Sequence, residues 1–204
     1  VDYVISAAGR VPNVQSLVLE NSGLVCDQRG IPTYDPHTLQ CGDSPVFIAG
    51  DANGDLPLLH EAADEGKIAG ENAARYPQIQ AGLRRTPLAI VFTEPQMAVI
   101  NGGYAALPCG EAVVCGRVDF SDQGRSRVML QNHGCLHVYA ERTSGRFLGA
   151  EMVAPAAEHL AHLLAWAHQL GLTVSQMLEL PFYHPVIEEG LRTALRDAAG
   201  QLSA

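Results

Sequence analysis

LHVYAERTSGRFLGAEMVAP, residues 136–155, is the stretch on which the fold turns. Two strand-like runs, LHVYA (136–140) and FLGAEMVA (147–154), flank a turn, and Pro155 suits the first position of a helix. Working upstream, LAIVF (88–92), GEAVVCGRVDF (110–120) and RVML (127–130) read as further strands. Downstream, Leu160, Leu163, Leu164 and Ala167 share one apolar helix face, and Gly171 stops that helix. Thr173 with Gln176 three residues later has the form of a capping box opening a short helix. Several strands in succession, then helices, predict an α+β domain over residues 85–204: an antiparallel sheet with helices packed on it.

The preceding residues have a different texture. Residues 1–13 carry a short apolar run, YVISAAG, entering the turn Gly9 to Asn13. Residues 14–80 contain polar turns and then VFIAG (46–50), which reads as a buried strand delivering the turn Gly50-Asp51. From Leu58 to Arg75 the pattern is helical, with small residues at Ala62, Gly66, Ala69 and Ala73. That stripe suits close packing; equally, the helix start near Leu59 and His60 can present free N–H groups to an electron-rich cofactor. Val1 opens the chain in what reads as mid-strand, so a missing N-terminal portion is expected. Residues 1–80 are then the tail of a truncated α/β region, expected to be disordered or re-paired at its open edges.

Composition narrows the function classes. The chain has 204 residues, 47% of them hydrophobic, enough to bury a core. A formal net charge of -9 leaves no basic patch for a phosphate backbone, which argues against nucleic acid as a partner. No apolar run approaches the roughly 20 residues that cross a bilayer, so no membrane partner is expected. The five cysteines (Cys26, Cys41, Cys109, Cys115, Cys135) form no CxxC or zinc-ribbon pattern, and reduced thiols in a cytoplasmic protein are the expectation. Glu158, His159 and His162 share a helix face without a further ligand to close a shell, so no metal is expected.

The densest chemistry lies in PFYHPVIEEGL, residues 181–191. Pro185 biases His184 away from helical angles while itself suiting a helix start, which leaves the imidazole free to project. Glu188 and Glu189 fall in or near the first helical turn, where the dipole favours negative charge. A carboxylate on one ring nitrogen fixes the tautomer and leaves the other nitrogen as proton acceptor. Such a pair can deprotonate a thiol, whose thiolate is the nucleophile. Taken alone, the element fits a capped surface helix with a chance histidine equally well.

Other segments share an order along the chain. AAGRVPN (7–13) resembles A-T-G-R-x-P-N, with Ala8 at the usual threonine, and VFIAGD (46–51) resembles a flavin motif. LLHEA (58–62), followed by DEG (64–66) and AGENA (69–73), is similar to a segment whose helix start approaches a flavin ring. TEPQMA (93–98) is similar to T-x-P-E-x-A, and residues 145–155 to G-x-x-L-G-x-x-x-V-G-P. Together they resemble the C-terminal part of the class I pyridine nucleotide–disulfide oxidoreductases, the lipoamide enzymes above all. The resemblance implies the end of an NAD-binding domain at 1–13, the last part of an FAD-binding domain at 14–80 and an interface domain at 85–204.

It also implies a homodimer with FAD and NAD as cofactors and a small dithiol or disulfide as substrate. Gly50, Asp51, Leu58, Leu59 and His60 fall on the flavin side, His60 in a positioning role, and Gly9 and Arg10 on the nucleotide-domain turn. Arg10 suits a phosphate or a domain-junction salt bridge equally. His184 takes the proton-transfer role in the partner's site, with Glu189 rather than Glu188 orienting it. Phe182 stands where the lipoamide enzymes usually carry a second histidine. The family's C-x4-C redox disulfide has no counterpart here, Cys109 and Cys115 having the wrong spacing, so the chain alone is expected to be inactive. A related disulfide or quinone reductase, or a non-catalytic dimerisation module, are the alternatives.

Overall fold

Apolar residues alternate along Cys135–Glu141 and Phe147–Ala154, which commits one side of each strand to a core. In the computed structural model, which describes residues 1–7, 9–107 and 112–202, the two strands are neighbours in a five-stranded antiparallel sheet. In chain order the strands are β1 (Leu88–Val91), β2 (Gln96–Ile100), β3 (Val113–Asp119), β4 (Cys135–Glu141) and β5 (Phe147–Ala154). Their spatial order is β1-β2-β5-β4-β3. The chain divides into two compact units, 1–84 and 85–204, and the sheet belongs to the second.

Five helices complete the regular structure: α1 (Leu59–Arg75), α2 (Gly124–Val128), α3 (Ala157–Gln169), α4 (Val174–Leu178) and α5 (Glu188–Leu202). In the second unit α3 lies against β2 and β5, and α5 against β3 and β4. Ala98, Ile100, Val114, Leu136, Val138, Ala150 and Met152 from the sheet meet Leu160 and Leu164 of α3 and Leu191 and Leu195 of α5. Burying each large side chain contributes about 1.5–3 kcal/mol. The tightest crossing is α5 over β3. A Cβ placed on Gly116 would sit 2.6 Å from the Ala198 amide nitrogen and would collide with the Ala194 carbonyl oxygen. A helix with Ala194 and Ala198 on its inner face, over a strand with glycine beneath it, can approach this far and no other residue at 116 would permit it.

The antiparallel sheet and its packed helices follow the sequence reading, and Thr173 and Gln176 form a complete capping box on α4. Several local expectations are overturned. RVML is not a strand: the Gln123 side chain caps the Ser126 N–H at 2.7 Å, and the Ser126 hydroxyl donates to the Phe120 carbonyl, so the segment turns into α2. β2 was hidden behind Pro95, which ends just where the strand begins, a place where its missing N–H costs nothing. Pro155 does not open α3, whose N-cap is Ala156, and Pro185 precedes the start of α5 at Glu188. Gly110 and Cys109 lie outside the described residues, and β3 begins at Val113.

In the first unit, YVISAAG forms no strand; residues 1–7 and 9–13 have no regular structure, Tyr3, Val4 and Ile5 are exposed, and Ala8 lies outside the described residues. VFIAG makes only an isolated bridge between Phe47 and Gln40, because the backbone beside it among the described residues is the short turn-rich segment around Leu39 and Cys41. The helix over Leu58 to Arg75 is present as α1, yet its buried stripe is Glu61, Glu65, Ile68 and Asn72 rather than the small residues. These polar groups are satisfied: the Asn72 amide donates to the carbonyls of Thr38 and Gln80 and accepts from the Gln80 N–H.

Two substitutions test this packing. Gly116→Val should destabilise the second unit by about 3 kcal/mol or more, by forcing α5 off β3, read as a fall in urea midpoint. Thr173→Ala should cost about 1 kcal/mol through loss of the cap, with an unchanged denaturant slope.

Candidate functional site

Once α5 is pressed on β3, its first turn is fixed in space, and Glu188 and Glu189 stand there. The chain leading in, Phe182 to Ile187, is tied down from two sides. Gln123 donates its side-chain amide to the Val186 carbonyl at 2.8 Å, and the Arg192 guanidinium lies 5.7 Å from the centre of the Phe182 ring. His184 therefore leaves a restrained segment with its ring in the open, 81% exposed, while the Glu189 side chain is 16% exposed.

Of the two carboxylates it is Glu189 that meets the imidazole, with Oε2 at 2.9 Å from His184 Nδ1. An ionised carboxylate only accepts, so Nδ1 carries the proton of this bond and Nε2 is left as the acceptor of the neutral ring. The other oxygen, Oε1, accepts from Arg192 Nη2 at 2.9 Å, and the Val186 N–H reaches Oε2 at 3.4 Å. Partial burial pushes the Glu189 carboxyl up, but the Val186 N–H, the His184 ring and the Arg192 cation outweigh it and hold the group below its ordinary value. Glu189 is thus a fixed negative charge behind the ring. Arg192 was not foreseen, although its place three residues after Glu189 on a helix is a readable signal.

The first unit holds the remaining predicted residues. Gly50 to Asn53 form a single 3-10 turn, and Asp51 points from it with its side chain 41% exposed. Arg10, which suited either a phosphate or an ion pair, lies with Nη2 at 2.6 Å from Asp51 Oδ2. The two charges, with Pro12, Asn13, Arg29 and Pro57, line a cavity of about 250 Å³. Gly9 is exposed with φ of 116°. Leu58 is the N-cap of α1 in an extended conformation, and no side chain caps the helix. Leu59 and His60 are exposed on its first turn, and His60 Nε2 lies 3.9 Å from Glu61 Oε1. Glu65, quoted within DEG (64–66) but given no role of its own, is the side chain on which the Asp51 turn rests; its Oε2 accepts from the Gly50 N–H and the Asn53 amide, each at 2.7 Å.

Among the described residues no group of three His, Cys, Asp or Glu side chains could hold a metal ion. No helix of the described residues is long and apolar enough to cross a membrane.

Residues 88–195 match the family model for the pyridine nucleotide-disulphide oxidoreductase dimerisation domain. A dihydrolipoyl dehydrogenase of Haloferax volcanii is 32% identical over 202 residues, an alignment covering 98% of this chain and 42% of that protein. The chain thus spans less than half the length of such relatives. Among solved structures, LpdA from Mycobacterium tuberculosis superposes with a TM-score of 0.74 at 27% identity, covering 91% of this chain and 40% of that one. A HOCl-induced flavoprotein disulfide reductase, RclA from Escherichia coli, shares the fold with a TM-score of 0.75 at 21% identity, over 95% of this chain and 44% of that one. The sheet, the helices laid on it and the matched residues together show that the chain belongs to the pyridine nucleotide-disulphide oxidoreductase family and carries its dimerisation domain.

Proposed function

We propose that this chain is the C-terminal part of a cytoplasmic, homodimeric, dihydrolipoamide dehydrogenase-like oxidoreductase that uses FAD and NAD, and that His184 and Glu189 are its acid–base pair. The observation that carries the reading is the 2.9 Å contact between His184 Nδ1 and Glu189 Oε2, made by a side chain that is 81% exposed. Oxidation of a dithiol to a disulfide releases two protons and two electrons. His184 Nε2 accepts the proton from one substrate thiol, and the thiolate so formed attacks one sulfur of a disulfide supplied by the rest of the protein, forming a mixed disulfide as the original S–S bond breaks and its other sulfur leaves as thiolate. Glu189 keeps the ring in the accepting tautomer and stabilises the imidazolium once it forms.

The first unit fits a flavin. Asp51, with Oδ2 paired to Arg10, keeps Oδ1 to accept from a sugar-like hydroxyl, and the start of α1 has no side-chain cap on its free N–H groups and positive dipole end. Bound FAD would supply the two-electron acceptor that passes the electrons on to NAD. Gly50, Leu58, Leu59 and His60 position it, and Gly9 and Arg10 belong to the nucleotide-domain turn. The proposed homodimer has apolar surface to cover: Leu163, Trp166 and Leu170 are exposed along and just beyond α3. With no C-x4-C pair in its sequence, the chain contributes the proton chemistry and leaves the disulfide to the rest of the protein.

In the full-length protein, His184→Gln should lower dithiol oxidation by a factor on the order of 10²–10⁴ with flavin content retained; unchanged turnover would remove His184 from the mechanism. Glu189 also sets a pH dependence. Its folded pKa lies below the ordinary 4.5, so the stability it contributes is present above 4.5 and is lost as pH falls through the folded value. Wild type should be more stable than Glu189→Gln at neutral pH, and urea midpoints of the two should converge below pH 4.5. A gap that widens on acidification would contradict the assignment.

A further inference from the structure

A turn that must aim a carboxylate at a ligand needs something to hold it, and Gly50 to Asn53 have no sheet to do so. They rest on one side chain. Glu65 is buried on the inner face of α1, its side chain 2% exposed. Its Oε2 accepts from both ends of the turn, from the Gly50 N–H at 2.7 Å and from the Asn53 side-chain amide at 2.7 Å. Its Oε1 accepts from Arg84 Nη1 at 2.8 Å, and Arg84 Nη2 reaches Glu61 at 3.4 Å. Both oxygens of the buried carboxylate therefore have partners, three donors in all, one of them a cation that Glu65 shares with Glu61, and a buried group satisfied from several directions holds a defined geometry.

The backbone agrees with that anchoring. Gly50 has φ of 67°, and a Cβ there would come within 3.0 Å of the Ala62 Cβ, so the turn lies flush on α1 one helical turn before Glu65. Asn53 is buried, and its Oδ1 in turn accepts from the Asp55 N–H at 2.9 Å, closing the far side of the turn. Asp51 is the second residue of this clamped unit, its carboxylate 41% exposed and paired through Oδ2 with Arg10.

We infer that Glu65 is a positioning residue of the flavin site: by gripping Gly50 and Asn53 it sets the direction of the Asp51 carboxylate, and it does not touch the cofactor. This rests on the proposed flavin role of Asp51. Gln at 65 keeps the shape but offers one acceptor oxygen in place of two and turns an N–H₂ toward existing donors, so at least one anchor is lost.

The test is a double-mutant cycle on the full-length protein, read as the FAD dissociation constant of the apoprotein measured by flavin fluorescence quenching. Glu65→Gln and Asp51→Asn should each weaken FAD by about tenfold or more. The double variant should be no weaker than Asp51→Asn alone, since Glu65 acts through Asp51. Glu71→Gln, on the exposed side of the same helix, should leave the constant unchanged. Additive losses, or an unaltered constant in Glu65→Gln beside a weakened Asp51→Asn, would overturn the positioning role. An unaltered constant in Asp51→Asn would instead overturn the flavin reading itself and this inference with it. If Glu65→Gln does not give folded protein, Asn53→Ala, which removes one anchor and keeps the ion pair, takes its place in the cycle with the same expected and contrary outcomes.

Discussion

The close crossing of α5 over β3 at Gly116 is the constraint from which the placement of His184 and Glu189 descends. Because the Ala194 and Ala198 backbone lies directly on the Gly116 backbone, the helix can neither rise nor slide without opening the core formed by Leu191 and Leu195 against Val114, Leu136 and Val138. A helix so held delivers its first turn to a fixed place. Glu189 stands in that turn, and the imidazole of His184 needs only to meet it. The position of an exposed ring is thus determined by packing on the far side of the same helix, which is how a mobile surface histidine becomes an oriented one.

The two candidate sites use the same electrostatic device. In each, a carboxylate that faces away from solvent collects several donors, one of them an arginine, and thereby fixes the group that faces outward. Glu189 takes the Val186 N–H and Arg192 and orients His184. Glu65 takes Gly50, Asn53 and Arg84 and orients the turn of Asp51. Charge-assisted bonds are shorter and stronger than neutral ones, and a carboxylate has room for several, so one side chain can hold a whole turn.

The legible part of this chain was the part whose structure is local. Two strand-like runs on either side of a turn disclosed β4 and β5, and the Thr173–Gln176 pair disclosed a cap. The His-Pro dipeptide and the helix start pointed to a carboxylate beside His184 but left Glu188 and Glu189 open, and it was the family resemblance that favoured Glu189. What failed was decided by distant or competing contacts. RVML has strand-like residues, but the Gln123 and Ser126 side chains offer its backbone a helical alternative. VFIAG looks like a buried strand, yet a strand exists only with neighbours, and here it has a single bridge. The inner face of α1 was mistaken because small residues suggest close packing, whereas Glu61, Glu65 and Asn72 are buried by partners that periodicity does not reveal.

The central claim is that Glu189 locks His184 with its proton on Nδ1 and its Nε2 open to a thiol. The most direct measurement is the tautomer itself, from long-range nitrogen–proton correlations of the His184 imidazole in the full-length protein at a pH where the ring is neutral. The account predicts a single Nδ1-protonated form that collapses to a mixture in Glu189→Gln. A proton resident on Nε2, or a mixture already present in the wild type, would contradict it.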